Sequence, residues 1–258
     1  MITAKSTKSV PAHITPFLEY CAVEKGLSTS TQRNYTHFLR VFTRWLEQID
    51  RAACLPHRLT EDDIWNYRLY LAEKHLTPVG KNLSKRTQRH YLVALRALLG
   101  YFHHRSIETL SPALVTLPKQ SDRQGVAFLP FPEIQKLLDI PDVRTTSGLR
   151  NRAIMELLFS TGLRVSELVA LDTETVAIVL KKSKKSSCEI TVTGKGGVTR
   201  PAYISTRAAD WLRTYLATRA DDHQPLFINY AVRQQEDRRL TPRAIQMMIR
   251  QALSLIHI

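Results

Sequence analysis

Two groups of cationic side chains recur at helical spacing in the first half of the chain and could neutralise phosphates. Within each group the side chains share one side of a predicted helix, away from its apolar face. The first basic stripe is Arg33, Arg40 and Arg44, and the second basic stripe is Lys85, Arg86, Arg89 and Arg96. Cations about one helical turn apart can each meet a phosphate and release its counterions. One stripe alone is more often a solvated surface, but two that lack acidic residues favour a nucleic-acid interface.

The overall charge supports the same interpretation. The chain has 37 Lys and Arg against 23 Asp and Glu, a net charge of +14, and residues 1–117 and 118–258 each contribute +7. Such an even spread is expected of a protein that grips a polyanion from two sides. Hydrophobic residues at 43% exclude wholesale disorder. The three cysteines are far apart and predict neither a disulfide framework nor a zinc site.

Targeting signals are missing from the sequence as it stands. No apolar run approaches the roughly 18 residues of a membrane span, and the N-terminus has no apolar signal region. We therefore expect a cytoplasmic protein with no membrane partner and no bound metal.

The first half is predicted to be a small α-helical bundle behind a flexible tail at residues 1–10. Helices are expected at residues 15–26 and 31–49, and further helices are expected to start at Thr60 and after Ser84, because Thr and Ser cap helices well. Residues 11–110 form this domain. The proline-rich stretch 111–126 is predicted to be an extended linker to a second domain at residues 127–258.

The second half mixes both kinds of element. Helices are predicted at residues 132–140, 149–160, 165–171 and 206–219, with a last helix capped by Thr241. Three short runs rich in β-branched residues, 176–180, 189–193 and 198–204, predict a three-stranded antiparallel meander. The predicted fold class is therefore mostly α with a small antiparallel β-meander.

Two short motifs lie in this second half. Residues 161–168 (TGLRVSEL) place Arg164 just after a helix end and Glu167 three residues later, a spacing that predicts an exposed ion pair of little energetic value. Residues 194–197 (GKGG) place Lys195 at the tip of a tight turn, without the spacing of a P-loop. Either motif alone is weak evidence of function.

Taken in order along the chain, these features resemble the tyrosine recombinase (phage integrase) family, in the style of the Xer recombinases. The likeness runs from about Ile14 to Leu253. The first half is similar to the SAM-like core-binding domain of that family, and residues 111–119 are similar to its interdomain linker. Residues 149–168 resemble the segment with the first catalytic arginine, here Arg164, and residues 190–200 resemble the β-hairpin whose catalytic lysine is here Lys195.

The resemblance implies a chemistry that needs no cofactor and no metal. In the family a tyrosine attacks a DNA phosphodiester, which leaves a 3′-phosphotyrosine and a free 5′-hydroxyl. Arg164 would donate hydrogen bonds to the non-bridging oxygens, and Lys195 would protonate the leaving 5′-oxygen. The implied partners are double-stranded DNA and, for the full-length protein, further copies of the chain in the family's tetramer.

The family pattern continues with a His-x-x-Arg motif, a further His or Trp, and the nucleophilic tyrosine, none of which follows the last predicted helix. We therefore expect a C-terminally truncated, incomplete α+β catalytic domain, and a chain that binds DNA without cleaving or rejoining it. The alternative is a non-catalytic DNA-binding protein that occupies recombination sites or regulates transcription. A basic RNA-associated scaffold is a third possibility.

Overall fold

The computed structural model describes residues 3–119, 128–183, 187–231 and 238–256, except for the side chain of Lys195. The chain divides into two compact units, Met1–Val126 and Ala127–Ile258. Each unit has an apolar core of its own. The described residues are mostly helical with one small antiparallel sheet, which confirms the predicted fold class.

Four α-helices build the described part of the first unit, and capping residues fix where three of them start. The helices are α1 (Ile14–Val23), α2 (Thr29–Gln48), α3 (Glu61–Leu69) and α4 (Lys85–His104). The hydroxyls of Ser28 and Ser84 accept from backbone N–H groups in the first turns of α2 and α4. Thr60 and Asp63 form a reciprocal capping box at α3, which satisfies donors that a helix start otherwise leaves free. The predicted starts after Thr60 and Ser84 are confirmed.

The core of the first unit lies mainly between α2 and α4. The apolar period of the sequence predicts one buried face for α4, and the structure buries all six of its residues: Tyr91, Leu92, Leu95, Leu98, Leu99 and Phe102. On α2 the buried residues of the predicted apolar face are Leu39, Phe42, Trp45 and Leu46, and Val41 and Thr43 are buried beside them. Ile49 is exposed because α2 ends at Gln48. Periodicity thus predicted the packed faces correctly, but it placed the start of α2 two residues late and its end one residue late.

The segments at the two ends of the first unit are held more firmly than a flexible tail and an extended linker would be. Ala4 pairs with Ile107 in a short parallel bridge, and Val10 is fully buried. The structure therefore differs from the predicted tail, because an apolar side chain and backbone hydrogen bonds fasten it. At the other end Val115 is fully buried. Residues 120–126 of the predicted linker lie outside the described residues.

The second unit contains six helices and the sheet among its described residues. The helices are α5 (Phe131–Asp139), α6 (Thr146–Thr161), α7 (Val165–Val169), α8 (Thr173–Lys182), α9 (Thr206–Ala217) and α10 (Pro242–Leu255). Strands β1 (Cys188–Thr193) and β2 (Thr199–Ile204) pair antiparallel. No helix in the part of the chain that the structure describes has the length and apolarity needed to cross a membrane.

The first of the three predicted strands is wrong, because residues 176–180 belong to α8. Val176 and Leu180, one helical turn apart, are both buried in the core of the second unit. A short apolar run fits a helix or a strand equally well on pattern alone, and here the helical spacing of the buried residues decides. The remaining hairpin includes Pro201, which lies opposite Thr191. Proline is tolerated there because both strands of a two-stranded sheet are edge strands.

One glycine is required by close packing at the start of α6. A Cβ atom on Gly148 would lie 1.9 Å from the carbonyl oxygen of Asp142 and 2.9 Å from the hydroxyl of Thr145. Both atoms belong to the turn that caps α6, where the Thr145 hydroxyl accepts from the N–H of Gly148 at 3.0 Å. No side chain therefore fits at Gly148 unless this turn moves.

We predict that Gly148→Ala destabilises the second unit by about 1–3 kcal/mol, the usual cost of overpacking. Gly100→Ala is the matched control, because Gly100 lies inside α4 and its Cβ would meet no atom within 4 Å. The control should stabilise the first unit by up to about 1 kcal/mol through helix propensity. Urea unfolding of both variants measures these changes, and a neutral Gly148→Ala would contradict the close packing of this turn.

Candidate functional site

Arg164 stands at the N-terminus of the short helix α7. Helix α6 ends at Thr161 with Gly162 as its C-cap, and Arg164 follows in extended conformation as the N-cap residue of α7. Its side chain is 65% exposed, so most of the guanidinium faces solvent. The turn between the two helices thus presents one cation on the surface of the second unit.

The buried carboxylate of Glu167 binds the guanidinium of Arg164. The side chain of Glu167 is only 3% exposed. One carboxylate oxygen accepts from Nη1 of Arg164 at 2.8 Å, and the other accepts from the backbone N–H of Arg164 at 2.9 Å. The second oxygen also accepts from Nη2 of Arg200, on β2, at 2.8 Å. The prediction of an exposed Arg164–Glu167 pair is therefore wrong, because the carboxylate is buried and shared with a strand.

These contacts favour the ionised form of Glu167. The pKa of its carboxyl lies below the ordinary value, chiefly because the backbone N–H of Arg164 donates to it. Hydrogen bonds from the two guanidinium groups lower the pKa further, and burial opposes them. The carboxylate is thus charged at neutral pH and accepts hydrogen bonds from two arginine side chains.

The turn of the β-hairpin lies against the same carboxylate. The N–H of Gly194 donates to the carbonyl of Val198 at 2.8 Å, which closes the turn. A Cβ atom on Gly194 would lie 3.1 Å from Oε1 of Glu167 and 3.7 Å from Nη1 of Arg164. The structure therefore brings the two sequence motifs together. Lys195 is the next residue of this turn, and its side chain lies outside the described part of the chain.

The two basic stripes lie on adjoining helices of the first unit. The rings of Phe38 on α2 and His90 on α4 stack 6.1 Å apart, and Tyr91 contacts His37. Arg33, Arg40, Arg44, Lys85 and Arg86 are exposed and Arg89 is half-buried. None of these six makes an ion pair with any residue that the structure describes. Their charges are therefore free to meet an external anion.

Arg96 behaves differently from the rest of the second basic stripe. It is half-buried, and its Nη2 donates to the carbonyl oxygen of Val115 in the segment after α4. One of its donors thus serves a contact inside the unit. Helical spacing does not show this contact, because Arg96 shares the sector of Lys85 and Arg89 on the helix.

Sequence patterns alone undervalue two residues of the site. In the sequence, Arg200 is only the last residue of the hairpin motif, and Glu167 is only a surface partner of Arg164. The feature that points to a role for Arg200 in the site is its position on β2, directly opposite Val192 and close to the turn. As for metals, no group of three or more His, Cys, Asp or Glu within the described ranges is arranged to hold one.

Comparison with protein families and curated sequences gives consistent matches. The Phage integrase family profile matches residues 127–258, and the profile of the phage integrase N-terminal SAM-like domain matches residues 14–98. The tyrosine recombinase XerC of Myxococcus xanthus is 32% identical over 231 residues, which are 86% of this chain and 70% of that protein. XerC of Bacillus pumilus is 33% identical over 203 residues, 78% of this chain and 60% of that protein. XerC of Vibrio cholerae is 31% identical, and the match again spans 60% of its length.

Solved structures share the fold. A lambda integrase dimer bound to a COC′ core site superposes with a TM-score of 0.68 at 15% identity, covering 98% of this chain and 65% of that one. The XerH site-specific recombinase bound to palindromic difH substrate, a post-cleavage complex, superposes with a TM-score of 0.62 at 16% identity, covering 95% of this chain and 68% of that one. At these identities the likeness concerns the fold alone.

We predict that Glu167→Gln destabilises the second unit by about 1–3 kcal/mol at neutral pH, because two charged donors lose their buried partner. The folded pKa of Glu167 is depressed, so its contribution is fully present above the ordinary value of 4.5 and is lost as the pH falls through the folded pKa. The difference between wild type and variant should therefore be constant from about pH 7 to pH 5 and shrink below that. Urea unfolding from pH 7 to pH 3 measures it, and a difference that does not change with pH would contradict the ionised bridge.

Proposed function

Because the chain belongs to the phage integrase family of tyrosine recombinases and is of Xer type, we propose that it acts in site-specific DNA recombination. It binds duplex DNA through both units and presents Arg164 and Lys195 to one backbone phosphate. The observation that carries this proposal is the contact of the Lys195-bearing turn with the Arg164–Glu167 pair. We also propose that the chain acts in the cytoplasm, the location expected from its sequence.

Arg164 is the residue we assign to the phosphate. Glu167 occupies its Nη1 and its backbone N–H, which leaves Nη2 and Nε for a ligand. A guanidinium held in this way can donate two hydrogen bonds to non-bridging oxygens, where charge accumulates during transfer of the phosphoryl group. Loss of one donor of this kind typically costs about 10²–10³ in rate. The buried carboxylate fixes the direction of the fork before DNA arrives.

Lys195 is the residue we assign to the leaving group. Its turn starts at Gly194, where a Cβ would lie 3.7 Å from Nη1 of Arg164, and this closeness of the turn to Arg164 supports the assignment. Protonation of the departing 5′-oxygen makes it a neutral hydroxyl and avoids expulsion of an alkoxide. In the family reaction a tyrosine hydroxyl attacks the phosphorus atom, and energy is conserved in the phosphotyrosine bond.

The exposed cations of α2 and α4 are assigned to the DNA backbone. We assign contacts with DNA phosphates to Arg33, Arg40, Arg44, Lys85, Arg86 and Arg89, since these side chains have no ion-pair partner in the described part of the chain. Arg96 is left out because it is engaged with Val115. Contacts of this kind position a protein on DNA and carry little sequence information.

Self-association on DNA is the remaining part of the proposal. The neighbouring structures include a lambda integrase dimer on a core site and a lambda integrase tetramer on a Holliday junction. The chain spans about 60% of the length of the first curated relatives it matches. We therefore assign tetramer formation and strand exchange to the whole recombinase, and duplex binding to the two basic stripes and the candidate site.

We predict that this chain binds duplex DNA with a strong dependence on salt. If the stripes and the candidate site supply about 6–10 phosphate contacts, the affinity should fall by about 10³–10⁵ between 50 and 200 mM salt. Arg40→Gln should weaken binding and reduce the slope of log K against log salt by about one contact. Fluorescence anisotropy of a labelled duplex measures both quantities.

The matched control is Arg68→Gln. Arg68 lies on α3 in the same unit and stacks over the ring of Trp65, so the variant removes one positive charge outside both basic stripes. It should leave the salt slope unchanged. Equal losses in the two variants, or binding that is insensitive to salt, would contradict the proposed interface.

A further inference from the structure

Arg200 is assigned no step of the proposed reaction, yet it contacts the centre of the candidate site. Its Nη2 donates to Oε2 of Glu167 at 2.8 Å, and the same oxygen accepts from the backbone N–H of Arg164 at 2.9 Å. The other oxygen of Glu167 accepts from Nη1 of Arg164. The carboxylate is therefore a bridge with the start of α7 on one side and strand β2 on the other.

We propose that Arg200 is a positioning residue, which acts through Glu167 to hold the turn that bears Lys195 beside Arg164. This inference rests on the proposed function, because it concerns how the two assigned residues reach one phosphate. Arg200 itself is not assigned a contact with the reacting atoms.

The hairpin needs such a tether at its turn end. A two-stranded hairpin is marginally stable in isolation, and packing supports this one at the strands, where Ile190, Val192 and Ile204 are buried. The turn is different, because Gly196 and Gly197 are exposed and Val198 is 68% exposed. Arg200 lies two residues beyond Val198. Its ion pair with Glu167 therefore stabilises β2 next to the exposed turn.

The closeness of the turn to Glu167 depends on a glycine as well. A Cβ at position 194 would approach Oε1 of Glu167 to 3.1 Å, which is tighter than ordinary van der Waals contact. Gly194 thus lets the turn backbone lie near one oxygen of Glu167, whereas Arg200 donates to the other.

The charge balance of this cluster suits an anion. One carboxylate faces two guanidinium groups, which leaves an excess of one positive charge. Arg164 is 65% exposed and Arg200 is 37% exposed, whereas Glu167 is buried. An approaching phosphate therefore meets the cationic side of the cluster.

The test compares Arg200→Gln and Arg200→Lys with Arg207→Gln in the free protein. Arg207 is the matched control, because its Nε donates at 2.8 Å to Glu156, a buried carboxylate of the same unit. All three variants alter one arginine that pairs with a buried glutamate, but only Arg200 adjoins the hairpin turn. Hydrogen exchange of the amides in residues 194–199 reports the turn, and an NMR titration of the Glu167 carboxyl carbon reports its charge.

We expect the 194–199 amides to exchange about tenfold faster in Arg200→Gln, since a charge-assisted hydrogen bond is lost. The pKa of Glu167 should rise in this variant and return most of the way in Arg200→Lys, which restores the charge but not the planar fork. Arg207→Gln should change neither quantity. The recovery with lysine separates positioning by charge from a loss of packing.

Arg200 has no positioning role if Arg200→Gln matches Arg207→Gln in both the turn exchange and the pKa of Glu167. Should Arg200→Gln fail to fold, Arg200→Lys is used in its place. An exchange rate of the 194–199 amides between the wild-type rate and a tenfold higher rate supports the role. A wild-type exchange rate together with a raised pKa of Glu167 contradicts it. Both measurements are made without DNA. A chain that fails to bind duplex therefore refutes the proposed function and leaves the result for Arg200 readable.

Discussion

The geometry of the candidate site depends on one buried charge, the carboxylate of Glu167. An ionised carboxylate away from water is costly unless hydrogen bonds and opposite charges compensate it. Here the compensation comes from the backbone and side chain of Arg164 and from the side chain of Arg200. Because these donors lie on α7 and on β2, satisfying the carboxylate also sets where the hairpin turn sits relative to Arg164. The need to compensate the charge of Glu167 thus constrains the position of the hairpin turn in the site.

The second unit uses a related arrangement elsewhere, and the contrast shows what distinguishes the candidate site. Glu156, 2% exposed, pairs with Arg152 and Arg207 and helps to join α6 to α9. Arg152 is itself buried and lies 4.7 Å over the ring of Trp211. That cluster holds Arg152 inside the core, and Arg207, 43% exposed, also donates to Gln135. At Glu167 the side chain of Arg164 is 65% exposed, so its guanidinium is available to a ligand.

Local pattern was enough to predict most helices and their caps. Thr60 and Ser84 marked helix starts, and the apolar period of α4 named its buried face correctly. The failures share a physical cause, since each depends on a contact made far away in sequence. Residues 176–180 became helical because Val176 and Leu180 pack into the core of the second unit. The hydrogen bond from Arg96 to the carbonyl of Val115 also depends on a residue 19 positions later, which local pattern does not show. Glu167 is buried and shared because Arg200 arrives 33 residues later, which helical spacing at residues 164–168 cannot reveal.

A double-mutant cycle on the free energy of unfolding tests the central claim most directly. The cycle combines Glu167→Gln with Arg200→Gln and subtracts the two single effects from the double effect. If one carboxylate joins α7 to β2, the two positions should couple by about 0.5–3 kcal/mol, with the double variant less destabilised than the sum of the singles. Additivity within about 0.3–0.5 kcal/mol would mean that Glu167 and Arg200 act independently, and the carboxylate would then not be the bridge that sets the hairpin beside Arg164.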